Sequence, residues 1–213
     1  MYEIEKIEMI ETALKMKEYR LIAMAGGNVS LRLGNGHFLV TPSGMEYDKM
    51  RPDDILEVDA EGAVVNGHWR PSVDLVALLY IYKNLPDVNA IIHTHQVYAT
   101  AAGLIGDVLP AAVTTLANCT LGPVNVADYS SAASLEMGVQ AVKFLDGKRA
   151  VILKNHGVIT VGGNLDEALH AAVYMEDAAK TYLLAKAAGT PVILTDEQVE
   201  EAVDAYKKCG QDK

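Results

Sequence analysis

The chain has 213 residues, half of them apolar and 22% charged, with a mean hydropathy of +0.12. That composition excludes intrinsic disorder, and the length is enough to bury a core without covalent staples. Eighteen basic against 28 acidic residues give a net charge of −10, which argues against nucleic acid as a partner and leaves any anionic substrate to local dipoles, backbone N–H groups or a metal. Two cysteines, Cys119 and Cys209, make no disulfide framework. No apolar run is long enough to span a membrane, and the segment from Met1 to Lys6 lacks a signal-peptide layout. The expectation is a cytoplasmic protein with one domain over residues 1–213.

Residues 2–20 read as an amphipathic helix, with Ile4, Ile7, Ile10 and Leu14 at three- and four-residue steps. The turn Ala25-Gly-Gly-Asn-Val-Ser30 leads into strands at 29–33 and 37–41, separated by Gly34-Asn-Gly36. Thr41-Pro-Ser-Gly44 is a loop, and two further strands are expected at 55–59 and 63–65. Ser72 reads as the N-cap of a helix through residues 75–84 that Pro86 ends. A buried strand, 89–95, and a short helix, 97–105, follow. Residues 110–126 show no clear period and are read as one or two short strands. A helix at 131–145, strands at 149–155 and 158–161, and a long helix at 165–188 come next. The long helix is apolar nearly all round and is expected to be well buried. Thr195 with Gln198 reads as a capping box opening a final helix. The order is not a regular βαβα alternation. It predicts a single α/β domain with a mixed or antiparallel central sheet covered by helices.

The sharpest chemical feature is His93-Thr-His95. Residues two apart on a strand face the same side, so both imidazoles can reach one ion. A third histidine lies in Lys154-Asn-His-Gly157, just past another strand. Three histidines with an open position are a catalytic zinc donor set; three packed core or surface histidines are the plainer reading of the same residues. His37, His68 and His170 are read as structural or solvated. Asp74 lies 19 positions before His93. It fits a fourth ligand or a general acid/base, and equally an ordinary acidic residue favoured by a helix dipole. The segments around Gly26–Ser30 and Thr41–Gly44, with Ser72, offer backbone N–H and small polar groups for an anion nest, although each alone is also ordinary turn chemistry.

Taken in order, these residues resemble the class II aldolase/adducin family. The matching elements are Gly27-Asn-Val-Ser30, Thr41-Pro-Ser-Gly44, Pro71-Ser72 with Asp74, Pro86-Asp87, His93-Thr-His95 and Asn155-His-Gly157. His156 follows His95 by 61 positions, a spacing that looks like the L-fuculose-1-phosphate aldolase branch. The resemblance implies zinc, or another divalent metal, on His93, His95 and His156. It implies a phosphate pocket around Asn28, Ser43, Gly44 and Ser72, with Asp74 moving a proton. The implied reaction cleaves a ketose 1-phosphate to dihydroxyacetone phosphate and an aldehyde through a metal-stabilised enediolate. A homotetramer with interfacial active sites is also implied.

Four positions depart from the aldolase pattern. Asp74 replaces the usual glutamate and Val73 replaces a second serine; Thr114 and Cys209 fall where family tyrosines are found. Tyr129 and Tyr206 are candidate stand-ins for those tyrosines. Because aspartate is usual in the related L-ribulose-5-phosphate 4-epimerases, epimerisation or decarboxylation of another sugar-derived substrate is the alternative. A metal-free scaffold of the adducin kind is disfavoured by the intact histidines.

Overall fold

The computed structural model describes residues 1–206. Its strands are β1 (Asn28–Arg32), β2 (Phe38–Val40), β3 (Leu56–Val58), β4 (Val64–Asn66), β5 (Ala90–Thr94), β6 (Val108–Leu109), β7 (Val124–Ala127), β8 (Ala150–Leu153) and β9 (Gly157–Gly162). They form one sheet in the order β4-β3-β2-β1-β5-β9-β8-β7-β6. The β7–β8 pair is parallel and the other pairs are antiparallel. The mixed α/β sheet expected from the sequence is therefore present. The helices are α1 (Glu3–Glu18), α2 (Leu75–Asn84), α3 (Val97–Ile105), α4 (Thr114–Thr120), α5 (Leu135–Leu145), α6 (Leu165–Ala188) and α7 (Asp196–Tyr206).

Two layers of helices cover the sheet, and the period-2 alternation of β5 assigns each residue to one of them. Ile91 joins Leu78 and Ile81 of α2 and Met137 and Ala141 of α5 on one face. Ala90 and Ile92 join Met9 and Ala13 of α1 and Leu169 and Ala172 of α6 on the other. His93 follows Ile91 on the first face, where α2 begins. All five residues of β5 are buried, as befits a strand between two neighbours. Arg32 ties β1 to the end of α2. Its guanidinium donates to the carbonyls of Tyr82 (2.6 Å), Val88 (3.0 Å) and Leu85 (3.3 Å), with its charge near the Phe38 and Tyr82 rings.

Several local expectations are corrected. In α1 the buried side chains are Lys6, Met9, Thr12, Ala13 and Met16, whereas Ile4 is 71% exposed and Ile7 and Leu14 also lie at the surface. The small residues Ala168 and Ala172 of α6 admit the flexible methionines of α1 into the shared cluster. The 110–126 segment contains the helix α4 rather than strands alone, with Leu116, Ala117, Cys119 and Thr120 buried. The Thr120 hydroxyl donates to the Leu116 carbonyl. Helix α6 buries residues only as far as Ala179, and Leu184 is exposed. Helix α5 opens at Leu135, later than the expected start at 131, with Ser134 as its N-cap; the Ser134 hydroxyl accepts from the Met137 N–H at 3.2 Å. The Thr195–Gln198 capping box forms in both directions.

Candidate functional site

Three chain segments converge where β5 leaves the sheet. His93 lies within β5 and is almost completely buried; His95 is one residue past the strand and exposed; His156 is half-buried in the tight turn between β8 and β9. Asn155, just before it, takes the left-handed conformation (φ 59°) that asparagine tolerates better than most residues. The β5–β9 pairing places Ile159 opposite His93 and Val158 opposite Thr94, which carries the turn alongside the end of β5. Gly157 is needed for this approach. A Cβ there would run into the Thr94 carbonyl oxygen and lie 2.9 Å from His95 Cδ2. A Cβ on Gly27 would meet the His93 carbonyl, in a backbone with φ +80°.

One potential ligand nitrogen from each imidazole lies within 4.8 Å of the others. The Nδ1–H of His93 donates to the Val158 carbonyl at 2.8 Å, which leaves the Nε2 lone pair free. That Nε2 stands 3.1 Å from His95 Nε2. Two nitrogens on a tetrahedral zinc at ~2.0–2.1 Å would be about 3.3 Å apart, so the donor set and spacing fit such an ion. The Nδ1 of His156 is buried with no hydrogen-bond partner. Burial, reinforced by the neighbouring His156 and His95 and opposed by Asp74, pushes the His93 pKa down to about 4. Burial also lowers that of His156. Both rings are thus biased toward the neutral form a metal needs.

Asp74 is buried beside this cluster. Its Oδ2 lies 3.9 Å from His93 Nε2 and accepts from Asn28 Nδ2 at 2.8 Å. Its Oδ1 accepts from the Ala133 N–H at 3.2 Å. Ala133 itself has φ +57°, a strained conformation for alanine that aims its N–H at the carboxylate. Ser72 does not cap α2 as expected: the helix begins at Leu75, after Asp74, and the Ser72 hydroxyl instead accepts from the Asp74 N–H at 3.4 Å.

The segments expected to form an anion nest are side by side. Pro42 and Pro71 form an isolated antiparallel bridge. The Ser72 N–H donates to the Thr41 carbonyl, and the Val29 N–H to the Thr41 hydroxyl. Two expected donors are consumed by this arrangement, because the Ser43 N–H is bonded to the Arg70 carbonyl and the Ser72 N–H to that of Thr41. The hydroxyls of Ser43 and Ser72 and the Gly44 backbone remain; Ser43 and Gly44 are exposed, and Asn28 and Ser72 are buried. Asn28 faces His93 across the β1–β5 pairing, and its Oδ1 is buried without a partner.

Outside the cluster, His37 pairs with Glu57 at 2.7 Å and His68 packs on Trp69, both structural roles. Thr114 opens α4, Tyr129 is 68% exposed, and Tyr206 interacts with the Cys119 thiol. Cys209 lies outside the described residues. Sequence reasoning missed Ala133 and the Val158 carbonyl, because a backbone contact leaves no mark on residue type. Gly157 was the readable signal for the close approach of β9.

Comparison with known proteins agrees with this geometry. The family model described as "Class II Aldolase and Adducin N-terminal domain" matches residues 7–183. A 5-deoxy-D-ribulose 1-phosphate aldolase of Bacillus thuringiensis serovar kurstaki is 31% identical over 209 residues, 97% of each chain. An L-fuculose phosphate aldolase of Escherichia coli (strain K12) is 30% identical over 204 residues, covering 95% of this chain and 94% of its own. A solved L-fuculose 1-phosphate aldolase superposes with a TM-score of 0.90 at 35% identity, covering 95% of both chains. With its sheet, its histidine cluster and these full-length relatives in agreement, the chain belongs to the class II aldolase and adducin family, as an enzyme of its aldolase branch.

Proposed function

We propose that this chain is a metal-dependent aldolase that cleaves a ketose 1-phosphate to dihydroxyacetone phosphate and an aldehyde. The observation that carries the reading is the approach of three imidazole nitrogens to within 4.8 Å beside a buried, doubly hydrogen-bonded carboxylate. His93, His95 and His156 hold the metal, with zinc as the first candidate. When bound, it would supply Lewis-acid polarisation of the substrate carbonyl. The chain's own groups do the rest. Asp74, held by Asn28 and Ala133, moves the proton at the carbon next to the carbonyl. The hydroxyls of Ser43 and Ser72, the Gly44 backbone and the Asn28 carboxamide form the polar wall that receives the phosphate end. The three relatives compared above are named for two different ketose phosphates, and that shared class is the substrate assigned here. A homotetramer in the cytoplasm, with small-molecule sugar phosphates as its partners, belongs to the same reading.

The test is dihydroxyacetone phosphate release, coupled to NADH oxidation, from L-fuculose 1-phosphate and from 5-deoxy-D-ribulose 1-phosphate. Release that a chelator abolishes and zinc restores supports the proposal. No release from either compound by protein shown to contain zinc overturns the aldolase assignment and moves the search to epimerase and decarboxylase substrates.

A further inference from the structure

The two histidines of the His93-Thr-His95 run are held in different ways. His93 lies inside β5, and its ring is anchored to the Val158 carbonyl. His95 lies past the strand and is exposed. Among the described residues its ring has no carbonyl or carboxylate partner, so its direction depends on the backbone on either side. Both flanking residues, Thr94 and Gln96, are fully buried. The Thr94 hydroxyl donates to Gln96 Oε1 at 2.8 Å. Gln96 Nε2 donates to the Ala172 carbonyl at 3.1 Å and to Glu176 Oε2 at 3.5 Å. Ala172 and Glu176 both belong to α6.

The turn after His95 runs straight into α3, whose N-cap, Gln96, makes no side-chain cap. Glutamine is not among the preferred capping residues. The missing cap arrives from α6. Glu176 Oε1 accepts from the Tyr98 N–H and Oε2 from the Ala99 N–H, both at 2.9 Å. One carboxylate thus ties the first turn of α3 and the Gln96 side chain to α6. Hydrogen bonds to an ionised acceptor are about twice as strong as neutral ones.

We propose that Glu176 is a positioning residue for the metal site. It fixes the turn from Gln96 to Ala99 and thereby sets the direction in which His95 presents its imidazole. The proposal rests on the reading that His95 is a metal ligand. Groups that orient ligands from outside the coordination sphere are typically worth 10- to 100-fold in metal affinity. Glu176 acts one step further out, through backbone, and the lower part of that range is the expected effect.

The experiment measures zinc affinity by competition with a chromophoric chelator and records the visible spectrum of the cobalt(II)-loaded protein. Glu176→Gln keeps the side chain's size but sets an amide N–H against a backbone N–H. It is expected to weaken zinc binding about 10-fold and to shift the cobalt bands. Gln96→Met removes the other arm of the brace and is expected to act in the same direction, which keeps the test open should Glu176→Gln fold poorly. Glu167→Gln is the control. It lies on the same helix, where it pairs with Arg149 and accepts from the Gly163 N–H. It should lower Tm while leaving zinc affinity and the cobalt spectrum unchanged. Wild-type affinity and spectrum in both Glu176→Gln and Gln96→Met would overturn the proposal. A wild-type protein that binds no zinc would instead overturn the metal-site reading on which it stands.

Discussion

Replacing Asp74 with Asn separates the acid/base role from metal binding. Both carboxylate oxygens are engaged, by Asn28 Nδ2 at 2.8 Å and by the Ala133 N–H at 3.2 Å. Asparagine has the same shape but one acceptor oxygen. Whichever way its amide turns, the NH2 faces one of those two donors. A buried donor left unpaired costs about 1–3 kcal/mol, equivalent to roughly 2–12 °C in Tm for a chain of this size. The catalytic loss should be larger. A positioned acid/base contributes ~10²–10⁴-fold, or about 2.7–5.5 kcal/mol of barrier. The three histidines are untouched, so zinc content should stay near one per chain. The assay is turnover on the ketose 1-phosphate alongside metal analysis and thermal unfolding of the same preparation. A variant that turns over at the wild-type rate would refute the acid/base role. One that loses its zinc together with its activity would refute the separation of roles and make Asp74 a ligand.

Three further outcomes follow from the geometry. In metal-free protein His93 has its folded pKa near 4, against about 6.5 unfolded, so between these values the unfolded chain binds the extra proton. Stability should therefore be complete at neutral pH and fall as the pH drops from about 6.5 toward 4; equal urea midpoints at pH 7 and pH 5 would count against a buried neutral His93. Gly157→Ala forces a methyl into the Thr94 carbonyl and the His95 ring. It should cost about 1–3 kcal/mol by overpacking and also weaken zinc binding, and normal metal affinity in that variant would contradict the close approach of β9. Arg32→Met removes three charge-assisted hydrogen bonds to carbonyls in the last turn of α2 and just past it, and the guanidinium charge over the Phe38 and Tyr82 rings. Chemical denaturation should show a loss of about 2–4 kcal/mol, with zinc affinity unchanged.

Much of the site was legible because its strongest elements are local. The two-residue period of a strand places His93 and His95 on one side whatever surrounds them, and their nitrogens do stand 3.1 Å apart. Thr195 and Gln198 make their capping box within four residues. Glycine at 27 and 157 is the residue-type trace of close approaches that only the fold reveals. The face of α1 was misjudged for a different reason. Ile4, Ile7 and Leu14 make a good helical stripe, but so do Met9, Ala13 and Met16. The choice between them belongs to the alanines of α6 and not to α1. The 110–126 segment has no period to read, and its helix is shaped by burial of Leu116 and Ala117.

By itself, then, the amino-acid sequence determined the α/β class, most of the elements, and the pairing of two histidines on one strand face. Those follow from backbone periodicity and short-range hydrogen bonding, which act between neighbours along the chain. Tertiary structure decided the rest. It brought His156 to the other two rings across 61 positions. It placed Asp74 between Asn28 and the strained Ala133, and reached from Glu176 to the first turn of α3 across about 80. These contacts join residues whose separation is closed only by sheet pairing and helix packing, so no local pattern could carry them.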